Sequence, residues 1–234
     1  MSAGLADNLI LYDLMTWLSP SYPVGAYAHS SGLEWAVEAG WVCDRDAVET
    51  WTSDWLARGG GWGDAVMFAH AWRAVAAGDR PRLLDVAELA AAQTGRERRL
   101  ETTAQGAAFR RIALASALCP TLRLLNDVDD ADLAYPVAVA CLAAGRAAPL
   151  REALTAYLHG VASNLVSAAQ RLVPLGQTDA QIVMGRLRSV AAEVVDRAEA
   201  LGDGDPFADL CNACLAADFA AVAHETQGTR LFRT

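Results

Sequence analysis

Lysine is missing from this sequence, and all 19 basic residues of the 234-residue chain are arginines. The chain therefore has no Walker A lysine, no kinase-type ATP-binding lysine and no lysine that could form a Schiff base. These absences exclude the common lysine-dependent classes of nucleotide and carbonyl chemistry.

Long apolar runs and a positive charge balance are also missing. The net charge is −9 and the isoelectric point is near 4.9, which argues against nucleic acid or an anionic membrane surface as the main partner. No stretch approaches the roughly 18 consecutive apolar residues of a membrane span. The N-terminus lacks the basic and apolar regions of a signal peptide, and five scattered cysteines fit reduced thiols. We expect a cytoplasmic protein with no membrane segment.

Alternating strand patterns with turn residues at both ends are absent, whereas helical spacing recurs along the chain. With 53% hydrophobic residues the chain can bury a large core. The sequence therefore predicts an all-α fold: a single-domain bundle, residues 1–234, of about ten helices with Pro/Gly corners. Gly106 inside a long helix indicates close approach of another element.

Helix starts are indicated by several capping residues. Asp44 or Asp46, then Asp64, then Asp79 with Pro81 are expected to cap three helices. Capping boxes are expected at Ser31 to Glu34 and at Thr178 to Gln181. Asp205 with Pro206 is expected to start the last helix, which ends near His224. Gly59 to Gly61 lacks the lysine and the strand of a phosphate loop and is interpreted as a flexible helix connection.

No catalytic, cofactor-binding or metal-binding group can be assembled from the sequence. The histidines are dispersed; we expect His159 in the core, whereas His29 and His224 lie at element ends where surface recognition is conceivable. Cys211 and Cys214 form one Cys-x-x-Cys pair without a second ligand pair, so buried thiols are the favoured interpretation. Serines near the N-terminus lack a nucleophile elbow. We expect no enzyme activity.

Three segments have unusual composition. The first is a shaped loop between two helices, in which prolines fix φ and glycines permit turns; it contains Pro20, Pro23, Gly25, Ser30, Gly32 and Glu34. The second is a tight corner that reverses the chain, with Arg171, Pro174, Gly176 and Gln177.

The third segment is the C-terminal tail, about residues 225–234, which contains His224 at its start and then Glu225, Arg230, Leu231, Phe232 and Arg233. Arginine and aromatic side chains are frequent anchors of protein interfaces. We expect the tail to face a partner and to order on it, and the alternative is a tail packed on its own domain.

Together the three segments resemble the UreF family of urease accessory proteins over nearly the whole chain. The resemblance is carried by the Ser-Pro-x-x-Pro-Val-Gly loop with Ser-x-Gly-Leu-Glu, the Arg-Leu-x-Pro-Leu-Gly-Gln corner and the Thr-Arg-Leu-Phe-Arg tail, in the family's order. The sequence departs from the family pattern at Ala134, Gly228 and Thr234.

The resemblance implies an all-α, non-catalytic co-chaperone for urease maturation. Such proteins form homodimers, bind UreD (also called UreH) and recruit the GTPase UreG, so that nickel reaches apo-urease. Two alternatives stay open: a nickel-binding metallochaperone using Cys211, Cys214 and His224, and a GTPase-activating regulator of UreG. Arg96, Arg98 and Arg99 fit an arginine finger by residue type, but ion pairs with Glu97 and Glu101 are the favoured interpretation.

Overall fold

The computed structural model describes residues 3–92, 95–116, 120–210 and 213–234, and confirms the all-α expectation. Within these ranges there is no strand, and none of the helices combines the length and the hydrophobicity of a membrane span. The helices are α1 (Ala3–Trp17), α2 (Leu33–Glu38), α3 (Arg45–Arg58), α4 (Gly60–Ala76), α5 (Arg80–Ala91), α6 (Arg96–Ala115), α7 (Tyr135–Gly145), α8 (Leu150–Leu172), α9 (Gln177–Ala200), α10 (Pro206–Asp209) and α11 (Leu215–His224). Short 3-10 turns occupy Ala26–Ala28, Pro120–Leu125 and Asp130–Asp132.

The centre of the fold is formed by α4 and α7. Every residue of α7 from Tyr135 to Ala143 is buried, as expected for a helix that is apolar on all sides. Helix α4 contacts α7 and also α3, α5, α8 and α9, so it links most of the bundle. The long helices α8 and α9 pack against each other on either side of the Pro/Gly corner. Helix α11 packs on α2 and α6, and this packing brings the C-terminus to the N-terminal loop.

The sequence correctly identified two capping residues that bind amides in the first turn of their own helix. Asp44 accepts a hydrogen bond from the Ala47 amide at the start of α3, and Asp79 accepts one from the Arg82 amide at the start of α5. Each carboxylate satisfies an amide that the first helical turn leaves unpaired.

Three other capping assignments were wrong. Helix α4 begins at Gly60, so Asp64 lies inside it as a buried residue. Gly32 and Gly176 are the N-cap residues of α2 and α9, so neither helix is capped by the side chain of its N-cap residue. At α2 the Glu34 amide donates to the Ser30 hydroxyl at 3.3 Å. Ser31 donates to Glu101, and Glu34 binds the tail, so neither residue completes a capping box.

Two connections also differ from expectation. The segment between Asp205 and His224 holds two helices, α10 and α11, instead of one. Gly59 alone joins α3 to α4, and a Cβ at Gly60 would lie 2.5 Å from the Trp55 ring. The glycines there permit tight packing and do not form a flexible connection.

Gly106 confirms the expected close approach, and it provides the first test. A Cβ on Gly106 would lie 2.0 Å from the Leu133 carbonyl oxygen, whereas one on Gly185 in α9 meets nothing within 4 Å. We expect Gly106→Ala to lower the free energy of unfolding by about 1–3 kcal/mol or more through overpacking. The matched Gly185→Ala should raise it by about 1 kcal/mol, because alanine is the better helix former. Urea denaturation measures both, and a neutral Gly106→Ala would contradict the close approach.

Candidate functional site

The three unusual sequence segments meet at one place in the fold, around the C-terminal tail. The Arg233 amide donates to the Ala28 carbonyl at 2.8 Å, and the Ser30 amide donates to the Thr234 carbonyl at 2.6 Å. His29 Nδ1 lies 2.7 Å from Thr234 Oγ1, and both residues are buried. The tail therefore packs on its own domain, against the N-terminal loop.

Glu34 holds the tail backbone. Its carboxylate accepts hydrogen bonds from the amides of Leu231, at 2.6 Å, and Phe232, at 2.9 Å. Burial by itself raises the pKa of Glu34, but these two amides and the His224 ring outweigh it, so the pKa lies below its usual value. The ionised form of Glu34 is thus the form that binds the tail.

His224, at the end of α11, lies between two carboxylates. Its Nε2 is 3.0 Å from Glu34 Oε2 and its Nδ1 is 2.7 Å from Glu97 Oε2. Arg230 of the tail donates to the other oxygen of Glu97 at 3.0 Å. Burial raises the pKa of Glu97, although His224 and Arg230 oppose the rise. We call Glu34, Glu97 and His224 the tail anchor.

A neutral imidazole carries a single N–H, so it cannot donate to both carboxylates of the tail anchor. Both contacts become hydrogen bonds if the ring is doubly protonated, or if Glu97, whose pKa is raised, supplies the second proton. Surface recognition by His29 and His224 was considered from the sequence, but both side chains are buried: His224 is fully buried and His29 lies against Thr234.

Arg171 connects the corner segment to the other two. Its Nη2 donates to the Tyr27 carbonyl at 2.8 Å, and its guanidinium lies 4.2 Å from the centre of the Phe232 ring. The Phe232 side chain is buried beneath it. The other corner residues predicted as site residues, Pro174, Gly176 and Gln177, are exposed.

The exposed residues of this region form its outer surface. Leu231 is 63% exposed, and Arg230 and Arg233 are exposed beside it. Pro20 and Pro23 are exposed in the N-terminal loop, whereas Ser30 and Gly32 are buried, and Gly25 has φ +78°. Glu225 is half-buried. A cavity of about 250 Å³ lies between the loop and α8, lined in part by Tyr22 and Asn164.

A buried ion cluster that sequence reasoning missed lies directly behind the N-terminal loop. Asp64 accepts hydrogen bonds from Arg98 and, at 2.7 Å, from the Tyr157 hydroxyl. Arg98 also lies 3.6 Å from Glu101, which accepts a hydrogen bond from Ser31 at 2.9 Å. Burial raises the pKa of Asp64 although Arg98 opposes the rise. The cluster ties α4, α6 and α8 to the loop that supports the tail.

Two further histidines have different environments. His70 is fully buried; its Nε2 is 2.9 Å from Asp209, and Arg82 approaches its Nδ1 at 3.1 Å. His159 is exposed on α8, so the expectation of a core histidine was wrong. In α8 the buried neighbours Tyr157 and Leu158 fill the core, and position 159 faces outward.

The buried histidines predict a decrease in stability at mildly acidic pH. Burial lowers the pKa of His29 and of His70 below the ordinary 6.5; Glu101 opposes the shift at His29 and Asp209 opposes it at His70, while nearby arginines add to it. The unfolded chain therefore binds protons first as the pH falls below 6.5, and the free energy of unfolding falls until the folded-state pKa values are passed. Each histidine contributes a slope of at most about 1.4 kcal/mol per pH unit.

Urea denaturation between pH 7.5 and 5 measures this slope. The variant His29→Gln with His70→Gln should show a shallower slope than the parent chain, and His159→Gln is the control at an exposed position. Equal slopes in the parent and the double variant would contradict the assignment.

Metal ligands do not converge in the part of the chain that the structure describes. No group of three or more His, Cys, Asp or Glu side chains there is arranged to hold a metal ion. His224 is enclosed by two glutamates, and Cys214 is half-buried with its pKa raised by burial. Cys211 lies outside the described residues, so the Cys-x-x-Cys pair is not placed.

Comparison with known proteins gives a consistent result. The UreF family model matches residues 42–188. The chain is similar to "Urease accessory protein UreF" of Rhodopseudomonas palustris strain BisA53, with 49% identity covering 100% of this chain and 96% of the relative. The protein of the same name from strain BisB5 is 50% identical, with coverage of 96% and 91%. That from Bradyrhizobium diazoefficiens is 47% identical, also with coverage of 96% and 91%.

Proposed function

The chain belongs to the UreF family of urease accessory proteins, and on this basis we propose that it acts in urease maturation as a binding scaffold without a catalytic site of its own. The observation that carries the proposal is the convergence of three distant segments on the tail. Glu34, Arg171 and His224 lie in α2, α8 and α11, yet all three support the tail or its neighbours. Such an arrangement presents a fixed surface to a partner.

The partners proposed are UreD (UreH), the GTPase UreG and apo-urease, with nickel as the cargo passed among them. The tail's buried side already has its contacts within the chain, so the outer side is the surface available to a partner. Leu231 and Arg233 on that side combine an apolar side chain with a positive charge, a composition common at interface centres, whereas Arg230 is already paired with Glu97.

The alternative of a nickel-binding metallochaperone has less support. Of its three ligand candidates, His224 contacts Glu34 and Glu97 in the interior, and Cys214 is half-buried. The alternative of a GTPase activator needs an exposed arginine. The Arg98 side chain is 17% exposed and pairs with Asp64, and the exposed Arg99 pairs with Asp132. Arg96 is exposed and has no ion pair among the described residues.

A homodimer is proposed at the groove between α1 and α8. This groove measures about 630 Å³ and is mainly apolar, with Leu11 and Met15 exposed along it. Arg151 at the edge of the groove already pairs with Asp196 and Glu199 of the same chain, so the apolar side chains are the part of the groove that a second copy related by a two-fold axis would cover. We expect Met15→Arg to yield a monomer by light scattering at concentrations where the parent chain is a dimer; a dimeric variant would refute this surface.

The test of the scaffold proposal changes the outer side of the tail and leaves its buried side intact. The variant Leu231→Ala with Arg233→Glu should stay folded and lose co-purification with UreD, and with UreD plus GTP-loaded UreG. The matched control is Ile182→Ala with Arg188→Glu, which removes one exposed apolar residue and one exposed arginine from α9. Unchanged co-purification by the tail variant would overturn the role of the tail. Failure of the parent chain to bind UreD at all would overturn the scaffold proposal.

A further inference from the structure

A second exposed surface lies on α2, the residues that follow it, and α11. Three of its rings pack on one another: Trp35 lies 5.0 Å from Trp41 and 5.5 Å from Phe219, and Trp41 stacks on Phe219 at 6.1 Å. Trp41 is 47% and Phe219 58% exposed, and Leu215 and Val222 extend the apolar surface along α11. We call these five residues the aromatic face.

The backbone beneath the aromatic face is held in place. Gly32 has φ +82°, and a Cβ there would lie 2.8 Å from the Ala221 amide nitrogen, so α2 begins in direct contact with the backbone of α11. The Trp41 amide donates to the Ala36 carbonyl at 2.9 Å. The rings are therefore presented on a rigid base, and a partner need not order them on binding.

The charged side chains that α2 and α11 themselves present outward are negative, and Arg58, which lies near Cys214 at the start of α11, pairs with Asp54. Helices α2 and α11 contain no arginine, and their outward carboxylates are Glu38 and Asp218. Arg45, which follows Trp41 in the chain, pairs with Asp46 and Asp179. Exposed aromatic rings beside unneutralised carboxylates favour a cationic side chain, because both the ring faces and the carboxylates attract positive charge.

The same preference appears within this chain. Arg98 lies over the Trp55 ring, and the guanidinium of Arg197 lies 3.8 Å from the centre of the Trp62 ring. No such contact occurs at Trp41 or Phe219 among the described residues. The Trp41 and Phe219 rings are therefore free to contact a cationic side chain of a partner, as Trp55 and Trp62 contact arginines within the chain.

We propose that the aromatic face binds an arginine- or lysine-bearing apolar segment of a partner protein in the urease maturation complex. The inference rests on the proposed function, because the occupant is one of the proteins that the scaffold collects. A second copy of this chain is the poorer occupant: a two-fold contact would place Glu38 and Asp218 against identical carboxylates.

The experiment measures binding of purified UreD, and of UreD plus UreG, by titration calorimetry. We expect Trp41→Ser with Phe219→Ser to weaken one of these two binding steps by about 10- to 100-fold, because desolvated aromatic anchors dominate interface affinity. Phe207→Ser is the matched control, since Phe207 is an exposed aromatic residue on α10. A second variant, Glu38→Arg with Asp218→Arg, should weaken the same step and reduce its dependence on salt.

A photo-reactive phenylalanine analogue at position 219 identifies the occupant. The cross-linked peptide of the partner should contain arginine or lysine among apolar residues. If the parent complex forms but both variants bind normally, or the cross-linked peptide is acidic, the aromatic face is not the docking surface and the scaffold proposal still stands. If the parent chain binds neither protein, the scaffold proposal fails and the inference fails with it.

Discussion

Replacing Arg98 with methionine is expected to lower the free energy of unfolding by about 3–5 kcal/mol, since it leaves a buried carboxylate without its partner. The Asp64 side chain is 3% exposed and the Arg98 side chain 17%. The ion pair joins α4 to α6, and the Tyr157 hydroxyl brings in α8 through the same carboxylate. Urea denaturation at pH 7.5 measures the loss.

The matched control is Arg58→Met. Arg58 pairs with Asp54 one turn away on α3, but the two side chains are 71% and 45% exposed. Exposed helix pairs of this kind contribute about 0.3–0.5 kcal/mol, so a small loss is expected. A loss of similar size in both variants would show that the Asp64 pair has no special role.

The pH dependence of the Arg98→Met variant separates loss of charge pairing from loss of packing. Burial already raises the pKa of Asp64, and removing Arg98 raises it further. A carboxyl whose folded-state pKa is raised is fully stabilising below its unfolded pKa and loses that contribution as the pH rises through the folded value. The deficit of the variant should therefore shrink as the pH falls. A deficit that does not change with pH would indicate a packing effect.

The sequence was informative wherever the deciding interaction is local. Asp44 and Asp79 cap their helices through amides three residues away, and that spacing is visible in the chain. Gly106 was recognised because glycine within a helix needs a compensating close approach. The segment that forms α7 is almost wholly apolar, and this helix is buried on all sides. These features gave the fold class and the starts of α3 and α5.

The same reasoning failed where a distant partner decides the role. Asp64 resembles an N-cap because acidic residues often precede helices, yet its partners Arg98 and Tyr157 come from α6 and α8. Glu34 has capping-box spacing, but its carboxylate is used by residues nearly 200 positions away. Spacing along the chain carries no information about such contacts.

The candidate site illustrates the same limit. The resemblance selected segments of the N-terminal loop, the corner and the tail, but it did not indicate that Arg171 contacts both of the others. The buried side of the tail carries Phe232 and Thr234, and the exposed side carries Leu231 and Arg233. The sequence alone does not distinguish the buried tail residues from the exposed ones. Which side chains of a terminal segment are buried depends on the surface that the segment packs against, and that surface is not visible in the sequence.

Replacing Glu34 with glutamine is expected to loosen the tail without unfolding the bundle. The two carboxylate oxygens of Glu34 accept hydrogen bonds from the amides of Leu231 and Phe232, and one of them also faces His224. Glutamine keeps one oxygen, but it has no negative charge and its NH2 group cannot accept a hydrogen bond. Hydrogen bonds to charged groups contribute about 1.5–3 kcal/mol each, more than neutral ones. Amide hydrogen exchange at Leu231 and Phe232 should accelerate by about 10- to 100-fold, while exchange in α4 and α7 stays unchanged.

Glu38→Gln is the matched control for the tail experiment, because Glu38 lies one turn further along α2, is exposed, and contacts the side chain of Gln227. Its exchange pattern at Leu231 and Phe232 should equal that of the parent chain.

If Glu34→Gln also leaves these amides protected, the charge of Glu34 does not hold the tail. If protection is lost throughout α4 and α7 as well, Glu34 supports the whole fold. Selective loss at the tail, combined with weaker UreD binding, would connect the tail anchor to the scaffold role, because the outer residues Leu231 and Arg233 depend on Glu34 for their position.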